Sequence, residues 1–141
     1  MENKRQLIVV IALIKDENGN TLLQKRVDAM IPSADGKWEF PGGRIDYGES
    51  PEDAIKRECG EEIGCEIEVE GLLPLVQSTI WKRADGDSQH VLVFCYRARL
   101  KKGTPSPLDK KVSEVRWFSS EEIVELNTLS GIKELIELSN K

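Results

Sequence analysis

Residues 50–64 carry the strongest structural signals in the chain, because both ends of a helix are marked there. Ser50 is a good N-cap, Pro51 suits the first helical position, and Gly64 is a natural residue just beyond a helix C-terminus. The apolar stripe of this helix consists of residues spaced four apart: Ile55, Cys59 and Ile63. The sequence therefore predicts an amphipathic helix over residues 51–62 that packs against a core.

Strand-like segments surround this helix. Leu7–Ile14 is an uninterrupted run rich in β-branched residues, which predicts a strand buried on both faces. Asn18 and Gly19 form a hairpin-turn signal, so Thr21–Lys25 is the predicted return strand. Further strands are predicted at Trp38–Phe40, Glu66–Glu70, Leu73–Trp81, His90–Leu100 and Glu114–Phe118.

Two shorter helices are predicted near the end of the sequence. Ser119 and Glu122 have the spacing of a capping box before residues 120–126, and a second amphipathic helix follows at 131–139. Strands and helices are mixed along the chain, and several neighbouring strands are expected to be antiparallel. We expect a single domain over residues 1–141, in the α/β (α+β) class, as a sandwich and not a doubly wound sheet.

Composition excludes several other classes of protein. The net charge of −5 argues against binding a nucleic-acid polymer, and an apolar run of about eight residues is far too short to span a membrane. No small-residue cleavage site follows that run, so no secretory signal is expected. The 3 cysteines lack CxxC spacing, which indicates buried thiols in a reducing cytoplasm.

Acidic residues are concentrated around the predicted helix. Residues 44–70 hold ten acidic and three basic residues. At 100° per residue, Glu58, Glu61 and Glu62 fall within an arc of about 100° beside the apolar stripe. Carboxylates this close repel each other, and hard oxygen ligands in such a group suit Mg²⁺ or Mn²⁺. A solvated acidic surface is the alternative interpretation.

Gly42 and Gly43 precede the helix by only a few residues and directly follow a predicted strand. We expect a tight turn there, where the backbone can approach a ligand closely. A cation held beside this open backbone would suit a diphosphate, because it neutralises phosphate charge and activates a water molecule.

The same region contains the pattern Gly43-x5-Glu49-x7-Arg57-Glu58-Cys59-x-Glu61-Glu62-x-Gly64-Cys65. This pattern resembles the Nudix box, G-x5-E-x7-R-E-U-x-E-E-x-G-U, in which U is aliphatic, and it departs only in having cysteine at the two U positions. The preceding WEFPGG segment, the opening hairpin and Arg116–Phe118 are also similar to MutT-like nucleotide pyrophosphohydrolases.

The resemblance implies a Nudix fold, a mixed β-sheet sandwiched between α-helices. It implies hydrolysis of a nucleoside diphosphate linked to another group, with Mg²⁺ or Mn²⁺ and water as the attacking group. Matching positions make Glu58, Glu61 and Glu62 the metal ligands. Arg57 and Glu49 would orient them, and Gly43 would place backbone near the metal or phosphate.

The general base differs among family members, which use a glutamate of the box or one from a later loop. In this sequence Glu61 is the candidate within the box, and Asp109 and Glu114 are the candidates in later segments. Glu114 is preferred among the later residues because it precedes the last strand, although an exposed strand-end charge is an equal interpretation.

Substrate contacts are predicted at several further positions. Lys25 and Arg26 end a strand where MutT-like enzymes place basic residues near the nucleotide, so they would hold phosphates, and a solvated strand end is an equal interpretation. Trp38 would stack a base, with a core position as its alternative. Gly42 and Gly43 would contact the phosphates through their backbone.

The leading functional prediction is hydrolysis of a nucleoside triphosphate to the monophosphate and pyrophosphate. Alternatives are hydrolysis of a nucleotide sugar, a dinucleoside polyphosphate or another diphosphate-linked metabolite, and a non-catalytic nucleotide-binding module. The expected partner is a small-molecule nucleotide; a homodimer fits similar proteins, but no feature of the sequence requires one.

Overall fold

Two sheets and three helices make up the computed structural model, which describes residues 2–141. The first sheet has the order β4-β1-β6-β5, in which β1 and β6 are parallel and the other pairs antiparallel; the second is antiparallel with the order β3-β2-β7. The elements are β1 (Lys4–Ile14), β2 (Thr21–Arg26), β3 (Trp38–Glu39), β4 (Gly42–Arg44), α1 (Pro51–Ile63), β5 (Glu66–Lys82), β6 (Ser88–Lys102), β7 (Val112–Phe118), α2 (Ser120–Val124) and α3 (Ile132–Ser139).

Two apolar cores lie on either side of the first sheet. The α1 core includes Val10, Leu22, Ile55, Cys59, Ile63 and Tyr96. The α3 core includes Leu13, Leu23, Trp38, Phe118, Leu135 and Ile136. The helices α1 and α3 pack on opposite faces of the first sheet, which confirms the predicted sandwich of a mixed sheet between helices. No helix within residues 2–141 has the length and apolar character needed to cross a membrane.

β1 is buried on both faces only along its second half. Ala12 and Ile14 face the α1 core and Leu13 faces the α3 core, all fully buried. Ile8, in the first half, is 47% exposed. The prediction of two buried faces from Leu7 onward was therefore wrong for the first residues, because α1 does not cover them and their other face borders a cavity.

The turn at Asn18 and Gly19 forms, but the hairpin ends almost at once. Gly19 has the positive φ of 81° expected of such a turn, and the two arms share a single bridge from Lys15 to Thr21. β2 then continues into the second sheet between β3 and β7. Leu22 and Leu23 are buried in opposite cores, which requires β2 to run between both layers.

Two further local predictions are corrected. The segments 66–70 and 73–81 belong to one strand, β5, whose pairing with β6 is interrupted by irregularities near Gly71 and between Leu72 and Val76. Gly42 and Gly43 are not a tight turn; they form β4 and pair antiparallel with β1.

The helix signals are confirmed. Ser50 caps α1 by accepting a hydrogen bond from the Asp53 backbone N–H at 3.2 Å, and Gly64 ends it with a left-handed φ of 70°. Ser119 and Glu122 form the expected capping box of α2. These caps fix where α1 begins and ends relative to β4.

Close approach to β1 requires glycine at position 42. A Cβ there would lie 2.1 Å from the Val10 carbonyl oxygen, so Gly42→Ala is expected to destabilise the fold by about 1–3 kcal/mol. Gly60→Ala is the matched control: a Cβ at Gly60 meets nothing within 4 Å, and removing glycine from a helix interior should stabilise by about 1 kcal/mol. Urea unfolding of both variants tests this, and equal effects would contradict it.

Candidate active site

The three carboxylates predicted on α1 line one large cavity of about 1150 Å³. Its floor continues the face of the first sheet on which the α3 core lies, and it consists of alternate residues of three strands: Leu7, Val9, Gln77, Thr79, Val91 and Val93. Residues 26–31 and 129–134 form walls. The carboxylates and the glycines of β4 lie at the end of this cavity closest to α1.

Glu62 is the buried member of the group, with 8% of its surface exposed. Its Oε1 accepts hydrogen bonds from the Gly42 backbone N–H at 2.8 Å and from Gln24 Nε2 at 3.4 Å. Burial raises the pKa of Glu62 to about 8, and the nearby charges of Glu39 and Glu58 add to the rise. Glu62 thus links α1 to β4, and its ionised form is disfavoured in the metal-free protein.

Arg57 holds the acidic residues in place. Its Nε and Nη2 donate to the two carboxylate oxygens of Glu49 at 2.8 and 3.0 Å, and Nη1 donates to Glu58 at 2.8 Å and to Glu61 at 3.3 Å. Nη2 also donates to the Arg44 carbonyl at 3.1 Å. The hydrogen bonds from Arg57 lower the pKa of Glu49 to about 2. One guanidinium therefore connects the loop before α1 with two of the α1 carboxylates.

Glu58 lies directly against Gly43. A Cβ at Gly43 would lie 2.5 Å from the carboxyl carbon of Glu58, so only glycine leaves room for this carboxylate. Burial raises the pKa of Glu58, while the guanidinium of Arg57 and, more weakly, the ammonium of Lys111 oppose the rise. The side chain is 15% exposed and reaches the cavity.

These donors suit a divalent cation by their chemistry. Carboxylate oxygens are the ligands that Mg²⁺ and Mn²⁺ prefer, and a cation would offset the burial and, secondly, the neighbouring negative charges that raise the pKa values of Glu58 and Glu62. Within residues 2–141, no three acidic, histidine or cysteine side chains already converge as a metal site. Arg57 contacts two of the carboxylates, and the third is hydrogen-bonded to Gly42.

The predicted substrate contacts divide into two groups. Arg26, Gly42 and Gly43 line the cavity. Lys25 and Trp38 do not: Lys25 pairs with Glu114 at 3.8 Å, outside the cavity lining, and Trp38 is buried against Phe118, with ring centroids 4.8 Å apart. The cause is strand alternation, because neighbouring residues of β2 face opposite sides of the sheet.

The residues predicted as general base also divide into those that line the cavity and one that does not. Glu61 and Asp109 line the cavity, whereas Glu114 does not. Glu114 lies opposite Lys25 in the second sheet and its carboxylate is also 3.9 Å from the Arg116 side chain.

Three polar residues of the site were missed from the sequence. Gln24 is 1% exposed; its Nε2 donates to Glu62 at 3.4 Å and to Glu39 at 3.5 Å, and its Oε1 has no hydrogen-bond partner. Glu39 is 3.2 Å from Arg26 Nη1, and its pKa is raised by burial. Lys111 lies at the cavity wall. The polar residue in the apolar strand Thr21–Lys25 was the available signal for Gln24.

Arg57→Lys is expected to lower turnover about 10- to 100-fold, because an ammonium cannot donate to both oxygens of Glu49 and still reach Glu58. Steady-state kinetics at several Mg²⁺ concentrations would show whether excess metal restores part of the loss. Arg99→Lys is the control, since Arg99 makes only an exposed pair with Glu68. Equal turnover of the two variants would contradict a positioning role for Arg57.

The fold and the site define an α+β sandwich whose capped helix presents carboxylates beside a glycine strand. Residues 4–138 match the family model of the NUDIX domain. The chain therefore belongs to the NUDIX family.

Several known proteins are similar to this chain. An "8-oxo-dGTP diphosphatase" of Proteus vulgaris is 36% identical over 67 residues, 48% of this chain and 58% of that protein. A "Nucleoside triphosphatase NudI" of Enterobacter is 27% identical over 131 residues, 89% of this chain and 88% of that protein. The crystal structure of a MutT NUDIX hydrolase from Burkholderia pseudomallei superimposes with a TM-score of 0.74 at 27% identity, covering 94% of this chain and 97% of that one. The chain spans about half the length of the first curated relatives it matches.

Proposed function

We propose that this protein hydrolyses a nucleoside triphosphate to the monophosphate and pyrophosphate, using Mg²⁺ or Mn²⁺. The observation that carries the proposal is the group Glu58, Glu61 and Glu62, held by Arg57 and set against glycine backbone at one end of a large cavity. The Enterobacter relative supports a triphosphate substrate, because its match covers most of both chains and its name is nucleoside triphosphatase. The free, buried cysteines support placing the reaction in the cytoplasm.

Glu58, Glu61 and Glu62 would hold the metal in this proposal. When bound, the metal would neutralise phosphate charge and lower the pKa of a water molecule. Arg57 orients Glu58 and is itself fixed by Glu49, so that the carboxylate keeps its direction when substrate enters. Gly43 leaves the space that the Glu58 carboxylate occupies, so that this ligand can lie against β4.

We assign proton removal from the attacking water to Glu61. Its side chain is 57% exposed and borders the cavity, so water reaches it without rearrangement of the protein. Glu114 is not assigned this role because its side chain pairs with Lys25 away from the cavity. Asp109 also borders the cavity, and the Asp109→Asn variant is the natural comparison for Glu61→Gln.

A substrate panel tests the proposal. Standard and oxidised nucleoside triphosphates, ADP-ribose, nucleotide sugars and dinucleoside polyphosphates would each be incubated with about 5 mM Mg²⁺, enough to saturate a weak Mg²⁺ site. Pyrophosphate and monophosphate released in equal amounts from one or more triphosphates is the expected result. Turnover restricted to the other substrates would replace the triphosphate assignment, and nucleotide binding without any turnover would indicate a binding module.

A further inference from the structure

The loop between β6 and β7 is attached to the end of α1. The backbone N–H of Ser106 donates to the Ile63 carbonyl at 3.1 Å, and that of Leu108 donates to the Glu62 carbonyl at 3.0 Å. The last carbonyls of a helix have no partner within the helix, so the loop satisfies them. This attachment brings residues 109–111 beside the helix that carries the site carboxylates.

Lys111 is fixed in this loop by its own backbone. Its N–H donates to Asp109 Oδ1 at 2.9 Å, and its carbonyl accepts from the Val27 backbone N–H at 2.8 Å. The Lys111 side chain borders the same cavity as Glu58 and Gly43, and its charge acts on Glu58. The backbone is held from two directions while the side chain remains exposed at the cavity.

Three of the other cations that line the cavity are already engaged by protein carboxylates. Arg26 pairs with Asp28 at 2.6 Å and with Glu39 at 3.2 Å. Arg57 is engaged with the acidic residues of the site, and Arg83 pairs with Asp85 at 3.0 Å. Within residues 2–141, Lys111 takes part in no ion pair.

Two other cavity cations are also without an ion pair among the described residues, but their positions differ. Arg5 lies opposite Gln89, six residues along β1 from Ile11, which pairs with Gly42; the separation is roughly 20 Å. Arg44 is on the edge strand and borders a second groove as well as the cavity. Of these three cations, Lys111 is the one on the loop that is hydrogen-bonded to the C-terminal end of α1.

We propose that Lys111 is the residue of this chain that binds the phosphate oxygens of the substrate on the side of the cavity formed by the loop between β6 and β7. This inference rests on the proposed function, since it assumes a polyphosphate in the cavity. A lysine ammonium is a compact charge with three rotatable donors, suited to phosphate oxygens, and Lys111 lines the same cavity as Glu58 and Gly43. Lys111 takes the role that the sequence suggested for Lys25, which is paired with Glu114.

Binding of inorganic pyrophosphate by calorimetry, with Mg²⁺ present, tests the proposal without any turnover. Lys111→Gln is expected to weaken binding about 10- to 100-fold, the range of a charged hydrogen bond, and Lys111→Arg should restore most of it. Lys110→Gln is the matched control, because Lys110 is the exposed neighbour that does not line the cavity. In kinetics, Lys111→Gln should raise KM more than it lowers kcat.

The outcomes separate this inference from the proposed function. Wild-type turnover of a triphosphate with unchanged pyrophosphate affinity and KM in Lys111→Gln would overturn the role of Lys111 while the proposed function stands. Pyrophosphate binding that depends on Lys111, without turnover of any substrate, would support the anion site and overturn the proposed reaction. Equal weakening in Lys110→Gln would show only a general effect of surface charge and would also overturn the inference.

Discussion

Glu61→Gln is expected to lower kcat by about 100- to 1000-fold at saturating Mg²⁺, the range seen when one preorganised electrostatic group is removed from an active site. Glutamine keeps the size of the side chain but removes its negative charge and its capacity to accept a proton. The side chain is 57% exposed, so the fold should be unaffected. Turnover of the triphosphate found in the panel, measured with a Mg²⁺ titration, gives the result.

Glu52→Gln is the matched control for this variant. Glu52 lies in the first turn of the same helix, is exposed and does not border the cavity. Its turnover should stay within about twofold of wild type, because an exposed charge far from the reaction has little effect. Wild-type turnover in Glu61→Gln would remove Glu61 from the reaction, and an equal loss in Glu52→Gln would attribute the effect to the charge of the helix.

The sequence predicted the parts of the site that depend on one helix. The caps at Ser50 and Gly64 fix the ends of α1, and helical periodicity then fixes which faces carry Cys59 and Glu58. The contact of Arg57 with Glu61 has the same local origin, since residues four apart are neighbours on a helix. These relations are local, so no knowledge of the tertiary structure was needed.

Relations between distant segments were predicted less well. Lys25 and Arg26 are adjacent, yet only Arg26 borders the cavity, because strand alternation sends Lys25 to the side where Glu114 lies. The sequence predicted that β2 returns along β1 as a hairpin, but the two strands share a single bridge and β2 joins the second sheet. The turn residues specify a reversal of the chain but not which sheet the second strand joins. Lys111 was missed because its place depends on a loop attached to α1 by backbone hydrogen bonds, which leave no mark in the sequence.

Burial also separates carboxylates that look equivalent in the sequence. Glu61 and Glu62 are neighbours in the box, but Glu62 is turned onto the Gly42 N–H and buried, while Glu61 remains in solvent. Because burial penalises the charged form, the pKa of Glu62 is strongly raised. An ionised Glu62 without a bound cation lowers the free energy of unfolding, and such a cost is common at functional sites.

Glu62→Gln is therefore expected to stabilise the metal-free protein at pH 8 while abolishing most of its activity. The pKa of Glu62 rises from its ordinary 4.5 to about 8 on folding, so between these values the folded state binds more protons than the unfolded state. The contribution of Glu62 to stability is then most favourable below pH 4.5 and is lost as the pH rises to about 8. Glutamine removes this penalty, which is on the order of 1–3 kcal/mol, and can still accept the Gly42 hydrogen bond.

Urea unfolding in the presence of a chelator, at pH 5 and at pH 8, measures this difference. The gain in stability of Glu62→Gln over wild type should be larger at pH 8, whereas Glu61→Gln, at the exposed position, should show little gain at either pH. Adding Mg²⁺ at pH 8 should raise the Tm of the wild type by mass action and raise that of Glu62→Gln much less. A Glu62→Gln variant that is less stable than wild type at pH 8 would show that the carboxylate stabilises the apoprotein, contrary to the burial argument.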